Sequence, residues 1–406
     1  MYQYPKHTVR SAWIPAVALV CTACGGGPDG TITTSNPPPP VPLVRTGVFK
    51  DSNVAGLDFV SGAESGVTDA AGRFTCETAS DVTFSIGRVT LGSAQCATLV
   101  HPAALAASGT LIDPEALDIT RFLLLLDQDA DPDNGIVISD ALRISADNWS
   151  AIRFGTPDFE PDLSRVLADI AAVDGRTPIL PTTAEAFAHL DETLICAFSG
   201  AFIGSLPASS LADVGNAAVL IYRDPATGRD LFELMGWRSG QRLLFLTSRG
   251  EVELATRPTL GSFPVPGFAD VDGLYTTPDD IQLGWVNSGS SIALNRAGTI
   301  RAMRIGGDTG SHRFVGTLFG TQGGGVVALT LDGDALDGEA YLVTPGIRLQ
   351  VKGSVAADGT SVDILVDGEV AAASLTRDAA GEPIAIDGVW PGTAPGSFEV
   401  FGCRLN

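Results

Sequence analysis

Lysine is almost missing from this chain. Lys6, Lys50 and Lys352 are the only three among 406 residues, and all basic residues total 25 against 47 acidic, for a net charge of −22. A field of that sign repels nucleic acid and anionic lipid, which excludes a nucleic-acid partner and suits a solvated surface or a cation binder. Aromatic residues make up 7%, too few for the paired girdles of a transmembrane barrel, the rival reading of the strand-rich regions below. No Gly-x-Ser-x-Gly elbow, His-Glu-x-x-His helix, phosphate loop or dinucleotide fingerprint occurs, so the common hydrolase, zinc-peptidase and nucleotide-binding constellations are missing. Beyond residue 24 no Cys-x-x-Cys pair is present either, which weighs against zinc. What is plentiful is apolar and turn-forming: 45% hydrophobic residues, 47 Gly and 25 Pro. That mixture excludes disorder for most of the length and favours short strands joined by tight turns. The length allows two or three domains.

The first residues run from Met1 to Arg10 with Lys6 and Arg10 as charges, followed by an apolar stretch, Ala12 to Val20. It falls short of the roughly 20 apolar residues that span a bilayer. A basic start, a short apolar core and small residues before a cut site describe an export signal. Cys21-Thr22-Ala23-Cys24-Gly25 resembles a bacterial lipobox, with Cys21 where leucine is usual. The resemblance implies residues 1–23 as signal peptide, lipidation of Cys24, and a membrane partner held by two or more acyl chains. Gly25 after the cysteine, by similarity to enterobacterial sorting, points to the outer membrane. An ordinary secreted protein cut near Ala23 is the plainer alternative. Residues 24–43 carry a Gly-rich start and the run Pro37-Pro38-Pro39-Pro40, a tether with a short stiff part.

Beyond Cys24 lie Cys76, Cys96, Cys196 and Cys403. An even number in an oxidising compartment suggests disulfides, with three pairings open. Cys76 and Cys96 flank one hairpin-like segment, and Cys196 and Cys403 bracket the C-terminal region, so these two pairs are expected.

Residues 44–112 read as a small β-sandwich-like module. Val54, Leu57, Phe59, Phe74, Val82, Phe84 and Ile86 are spaced as short strands with turns between them, including Asp69-Ala-Ala-Gly72. In that turn the Asp side chain bonds the backbone and Gly72 takes a positive φ. The pieces Gly47-Val-Phe-Lys-Asp-Ser, Thr68-Asp-Ala-Ala-Gly-Arg-Phe74 and Val82-Thr-Phe-Ser-Ile-Gly87 resemble segments of poorly characterised proteobacterial surface lipoproteins. They are also similar to prealbumin-like or immunoglobulin-like β modules of secreted proteins. The resemblance covers about residues 44–110 and the acidic loop below, and it implies fold and location, not activity.

Residues 113–195 change to helical spacing. Ile119, Phe122, Leu123 and Leu126 predict a helix started by Asp113-Pro114 or Asp118; Leu163, Val166, Leu167 and Ile170 predict a second; Phe187, Leu190 and Leu194 predict a third after Pro181-Thr182-Thr183. Between the first two runs Asp127-Gln-Asp129-Ala-Asp131-Pro-Asp133-Asn-Gly135. Ca²⁺ takes six to eight oxygens, and alternate carboxylates on a tight loop supply several. Either Asp127, Asp129 and Asp131 lead, or Asp129, Asp131 and Asp133 lead with the Gly135 carbonyl and Asp140 closing the ring. The second register resembles an EF-hand or dockerin loop. A solvated, metal-free loop is the alternative, and a bound ion is expected to be structural.

Residues 196–406 alternate strand candidates with turns such as Asp332-Gly333 and Asp358-Gly359, predicting an antiparallel barrel or sandwich tied from first strand to last by Cys196–Cys403. The opening Cys196-Ala-Phe-Ser-Gly-Ala-Phe resembles the start of lipoprotein barrels. Chemistry-bearing candidates are sparse: His101, His189, His312 beside Ser311, the pair Asp279-Asp280, and Trp237, Trp285 and Trp390 as sugar-stacking faces. Three roles follow in order: a non-catalytic envelope lipoprotein serving attachment, adhesion or scaffolding; a carbohydrate- or ligand-binding lipoprotein; and a hydrolase whose site only the fold assembles.

Overall fold

The computed structural model describes residues 43–206, 215–238, 248–251, 259–263, 271–277, 279–286, 297–307, 309–320, 323–344, 346–366, 368–390 and 396–405. The expected export signal, Cys24 and nearly all of the expected tether lie outside the described residues. Mainly β architecture is what the described residues adopt, with an N-terminal sheet module, a helical stretch and a closed C-terminal antiparallel barrel.

The module is built from β1 (Val44–Phe49), β2 (Val54–Ala55), β3 (Asp58–Ser61), β4 (Glu64–Val67), β5 (Arg73–Glu77), β6 (Asp81–Ile86), β7 (Val89–Gln95) and β8 (Leu99–Val100). Two sheets result, ordered β5-β1-β8 and β4-β3-β6-β7. Inward positions of β5 and β6 alternate cleanly with outward ones, as a half-buried strand requires. Phe49, Phe74 and Phe84 meet edge to face between the sheets, at centroid distances of 4.7 and 5.0 Å. The predicted turn forms as expected: Asp69 Oδ1 accepts from the backbone N–H groups of Ala71 and Arg73, and Gly72 has φ 70°. Cys76 and Cys96 are bridged with a Cα–Cα distance of 5.7 Å.

Next come α1 (Pro102–Leu105), α2 (Pro114–Leu126), the two-residue β9 (Ile136–Val137), α3 (Asp140–Ala146), α4 (Phe159–Asp162), α5 (Ser164–Val173) and α6 (Thr183–Phe198). Asp113, not Asp118, caps α2, accepting from the Glu115 N–H, with Pro114 in the first turn where its missing donor does no harm. Thr182 and Glu185 form a reciprocal capping box at the start of α6. Phe122, Leu126, Trp149 and Ile170 share one continuous core with Phe49, Phe84 and Val82, so the first helices and the module pack as one body.

Residues 200–305 form an eight-stranded antiparallel sheet from β10 (Gly200–Leu206), β11 (Gly215–Asp224), β12 (Arg229–Arg238), β13 (Ser248–Glu251), β14 (Thr259–Phe263), β15 (Val271–Thr277), β16 (Asp280–Val286) and β17 (Ala297–Ile305), in the order β13-β12-β11-β10-β17-β16-β15-β14. The barrel follows, closed by β18 (His312–Gly320), β19 (Gly323–Asp332), β20 (Ala335–Leu342), β21 (Ile347–Val355), β22 (Ser361–Val366), β23 (Glu369–Arg377), β24 (Pro383–Trp390) and β25 (Gly396–Arg404), with β25 pairing back on β18.

Burial explains how these layers stack. One face of the open sheet, with Phe202, Val219, Ile221 and Phe232, packs on Leu190, Leu194 and Phe198 of α6. The other face, with Leu220, Tyr222 and Met235, packs on Val315, Val326 and Tyr341 of the barrel wall. Strand β11 is therefore apolar on both sides, which is why its sequence runs Ala217-Ala-Val-Leu-Ile-Tyr222 without alternation. Phe314, Leu336, Ile364, Ile386 and Phe398 fill the barrel interior. Exposed positions on its strands mix polar residues such as Arg348, Lys352, Asp363 and Ser374 with the apolar Ile347, Leu365 and Val370. Cys196 and Cys403 are bridged with a Cα–Cα distance of 5.4 Å. The bridge joins the end of α6 to β25, not a first strand to a last one, because the capped helix runs on to Phe198.

Candidate functional site

The acidic loop between α2 and β9 is held by its own side chains and by the module. Asp131 N–H donates to Asp129 Oδ1 (3.1 Å), Asp133 N–H to Asp131 Oδ1 (3.3 Å) and Asn134 Nδ2 to Asp129 Oδ2 (2.9 Å). Pro132–Asn134 make a single 3-10 turn, ended by Gly135 at φ 102°, a backbone conformation that glycine adopts without strain. Beyond it, β9 pairs in parallel with β2, aligning Ile136 with Val54 and Val137 with Ala55.

Asp127 stands apart from the other loop acids because it is fully buried, while Asp129, Asp131, Asp133 and Asp140 are exposed. Its Oδ1 accepts from the Val137 N–H at 2.9 Å. Its Oδ2 is buried and has no hydrogen-bond partner among the described residues. Burial pushes the Asp127 carboxyl up to about 6, with the facing Asp129 charge adding to the shift and the Val137 donor opposing it. Two other predicted ligands are engaged elsewhere: Asp133 pairs with Arg404 at 2.8 Å, and Asp140 pairs with Arg143 of its own helix. Among the described residues no three acidic, histidine or cysteine side chains converge on one point as a metal cluster.

From Asp133 a polar line continues along the end of the barrel. Arg404 also holds Glu382 at 2.6 Å, Glu382 Oε2 lies 3.1 Å from His312 Nε2, and His312 Nδ1 lies 2.9 Å from Ser311 Oγ. Burial lowers His312, against the pull of Glu382, so the neutral ring donates from Nε2 to Glu382 and accepts at Nδ1. The Leu331 carbonyl, 3.2 Å from Ser311 Oγ, is the alternative acceptor for that hydroxyl's single proton. With Glu382 held by Arg404, the line works as a brace between loop, turn and strand end.

A second contact lies near the loop. Asp51 is completely buried, its carboxyl is raised well above the ordinary range by burial, and neither oxygen has a hydrogen-bond partner among the described residues. His189 Nε2 on α6 lies 3.5 Å from Asp51 Oδ1. Adjacent Lys50 donates to Asn53 Oδ1 and to the Leu405 carbonyl, tying the first strand of the module to the end of the chain.

His101, Asp279 and Trp237 take part in packing or ion pairing. His101 is buried, edge-on to Phe198, and lowered to about 4 by burial. Asp279 pairs with Arg304 across the β16–β17 edge, so the Asp279-Asp280 pair is not a facing carboxylate couple. Trp237 packs partly buried against the sheet–barrel core, so it offers no open platform. The side chains of Trp285 and Trp390 lie outside the described residues. Asp51, Glu382 and Arg404 escaped sequence reasoning: Asp51 lies in a turn-forming Asp-Ser-Asn run, Glu382 follows the Asp378–Gly381 turn, and Arg404 ends a strand.

No protein-family model matches the chain, and no curated protein matches it significantly. Among solved structures, kievitone hydratase from Nectria haematococca is 9% identical, covers 51% of this chain and 89% of that chain, and has a TM-score of 0.19. A DUF3598-family protein of unknown function from Nostoc punctiforme is 12% identical, covers 52% of this chain and 97% of that chain, and has a TM-score of 0.18. At such scores neither bears on the fold or activity of this chain.

Proposed function

We propose that this is an exported envelope protein, anchored through acylated Cys24 and serving a non-catalytic surface role in attachment, adhesion or scaffolding. The observation that carries the reading is the cysteine arrangement: Cys76 with Cys96 and Cys196 with Cys403. Such bridges persist in oxidising compartments, and they account for every cysteine after Cys24. A thiol left over directly behind a short apolar run is the one a lipid-transfer enzyme requires. The layered β body, the acidic surface and the packing or ion pairing of His101, His189, His312 and Asp279 fit a protein that presents a rigid surface.

The test is metabolic labelling with a palmitate analogue during expression in a bacterium with a lipoprotein pathway. Label is expected on the mature chain in the outer-membrane fraction and is lost in Cys24→Ala. An unlabelled mature chain, or one found in the cytosol with reduced thiols, overturns the reading.

A further inference from the structure

Asp127 poses a question that its neighbours do not. A carboxyl group removed from water needs a donor for each oxygen or a counter-charge nearby. Oδ1 has the Val137 N–H, whereas Oδ2 has no partner among the described residues and the side chain faces the carboxylate of Asp129. Two facing carboxylates without a cation repel each other, and an oxygen-loving ion between them removes the repulsion and supplies the missing partner.

We propose that this loop binds one divalent cation of the calcium class, anchored by the carboxylates of Asp127 and Asp129. Of the two registers the sequence allows, the structure favours the one led by Asp127. Asp133 is drawn to Arg404, and Asp140 to Arg143 one turn into α3. Asp131 follows Asp129 on the same exposed stretch, its N–H bonded to Asp129 Oδ1, and is the next carboxylate along the loop. Loop carbonyls and water complete the set, a mixture that irregular Ca²⁺ coordination accepts and strict Mg²⁺ octahedra accept poorly. Because Asp127 also holds Val137, and Val137 aligns with Ala55 on β2, the ion fixes the loop against the N-terminal module. This inference is independent of the lipid anchor.

The experiment is calorimetric and thermal titration of the full chain, stripped of metal and kept in detergent at pH 7.5, with CaCl2 and separately MgCl2. Saturable binding of one Ca²⁺ per chain, with a dissociation constant on the order of 0.1 mM as in extracellular modules, and a rise in Tm are expected. Both effects disappear in Asp127→Asn and Asp129→Ala and persist in Asp140→Ala. Asp127→Asn keeps the acceptor for Val137 and offers an amide to Asp129, so it folds without metal and its silence reports a lost ligand. No saturable heat up to millimolar Ca²⁺ overturns the proposal. So does an Asp140→Ala variant that abolishes binding while Asp127→Asn keeps it, or a Mg²⁺ response that equals the Ca²⁺ one.

Discussion

Arg404, on the last strand of the barrel, lies 2.8 Å from Asp133 of the acidic loop. The same guanidinium holds Glu382 at 2.6 Å, so one side chain ties the helical stretch to two parts of the barrel. Arginine suits this position because its planar fork serves two carboxylates at once, which a lysine ammonium does less well.

Arg404→Ala is therefore expected to lower stability by about 1 kcal/mol, since Asp133 and Glu382 are both substantially exposed and water screens their pairing. Arg404→Lys should recover less than half of that. The Arg404 charge also helps hold His312 below its ordinary value, so in Arg404→Ala the His312 titration should move upward, as read by NMR. An unmoved His312 titration would show that the two groups do not sense each other.

Reducing the bridge between Cys196 and Cys403 removes a constraint across most of the C-terminal half. In the chain-entropy model a loop of that length is worth roughly 5 kcal/mol, and the shorter Cys76–Cys96 loop about 3 kcal/mol. Urea unfolding of Cys196→Ser/Cys403→Ser should show the larger loss, and the Cys76→Ser/Cys96→Ser pair the smaller. Equal losses would mean that loop length is not what sets the contribution.

Helices α2 and α6 were legible because their signals are local. Asp113-Pro114 and Thr182-Thr-Ala-Glu185 carry both cap and first turn within four residues, and α2 and α6 begin there. Strands β23 and β24 were not, for equally physical reasons: β23 turns Ala371 and Ala373 inward, residues of low strand propensity, and β24 starts on Pro383. The split of the C-terminal half into sheet and barrel depends on distant pairings, β17 returning to β10 and β25 to β18, and every strand alternates alike whichever partner it takes. The acidic loop was visible as a run of carboxylates, but the burial of Asp127 and the diversion of Asp133 to Arg404 come from the tertiary fold. So does the meeting of Asp51 with His189, which no spacing encodes.

Asp51 makes a prediction of its own. Its carboxyl is raised by burial, so its contribution to stability is fully present below the unfolded value near 3.8 and is lost as pH rises through the folded value. Asp51→Asn removes that loss and should be about 1–3 kcal/mol more stable than the native chain at pH 8, the scale of an unpaired buried polar group. Urea denaturation from pH 5 to 9 checks it, and a variant that follows the native curve throughout would sink the idea.

Two buried groups titrate against each other on the acid side. His101 is lowered from 6.5 to about 4, so the stability tied to its neutral form is present above 6.5 and is lost by about 3 kcal/mol as pH falls to 4. Asp127 is raised from 3.8 to about 6, so acidification through the same window returns about 3 kcal/mol as its carboxyl takes up a proton. In EDTA the two changes nearly cancel. Asp127→Asn should expose the histidine loss as a steep fall in stability from pH 6.5 to 4, and His101→Phe, edge-on to Phe198, should expose the opposite trend. The buried His189 and His312 are lowered in the same direction as His101, while Asp51 is raised like Asp127, so each variant is read against the native curve and not by its absolute slope. Parallel stability curves for the native chain and both variants would show that neither group changes its protonation on folding.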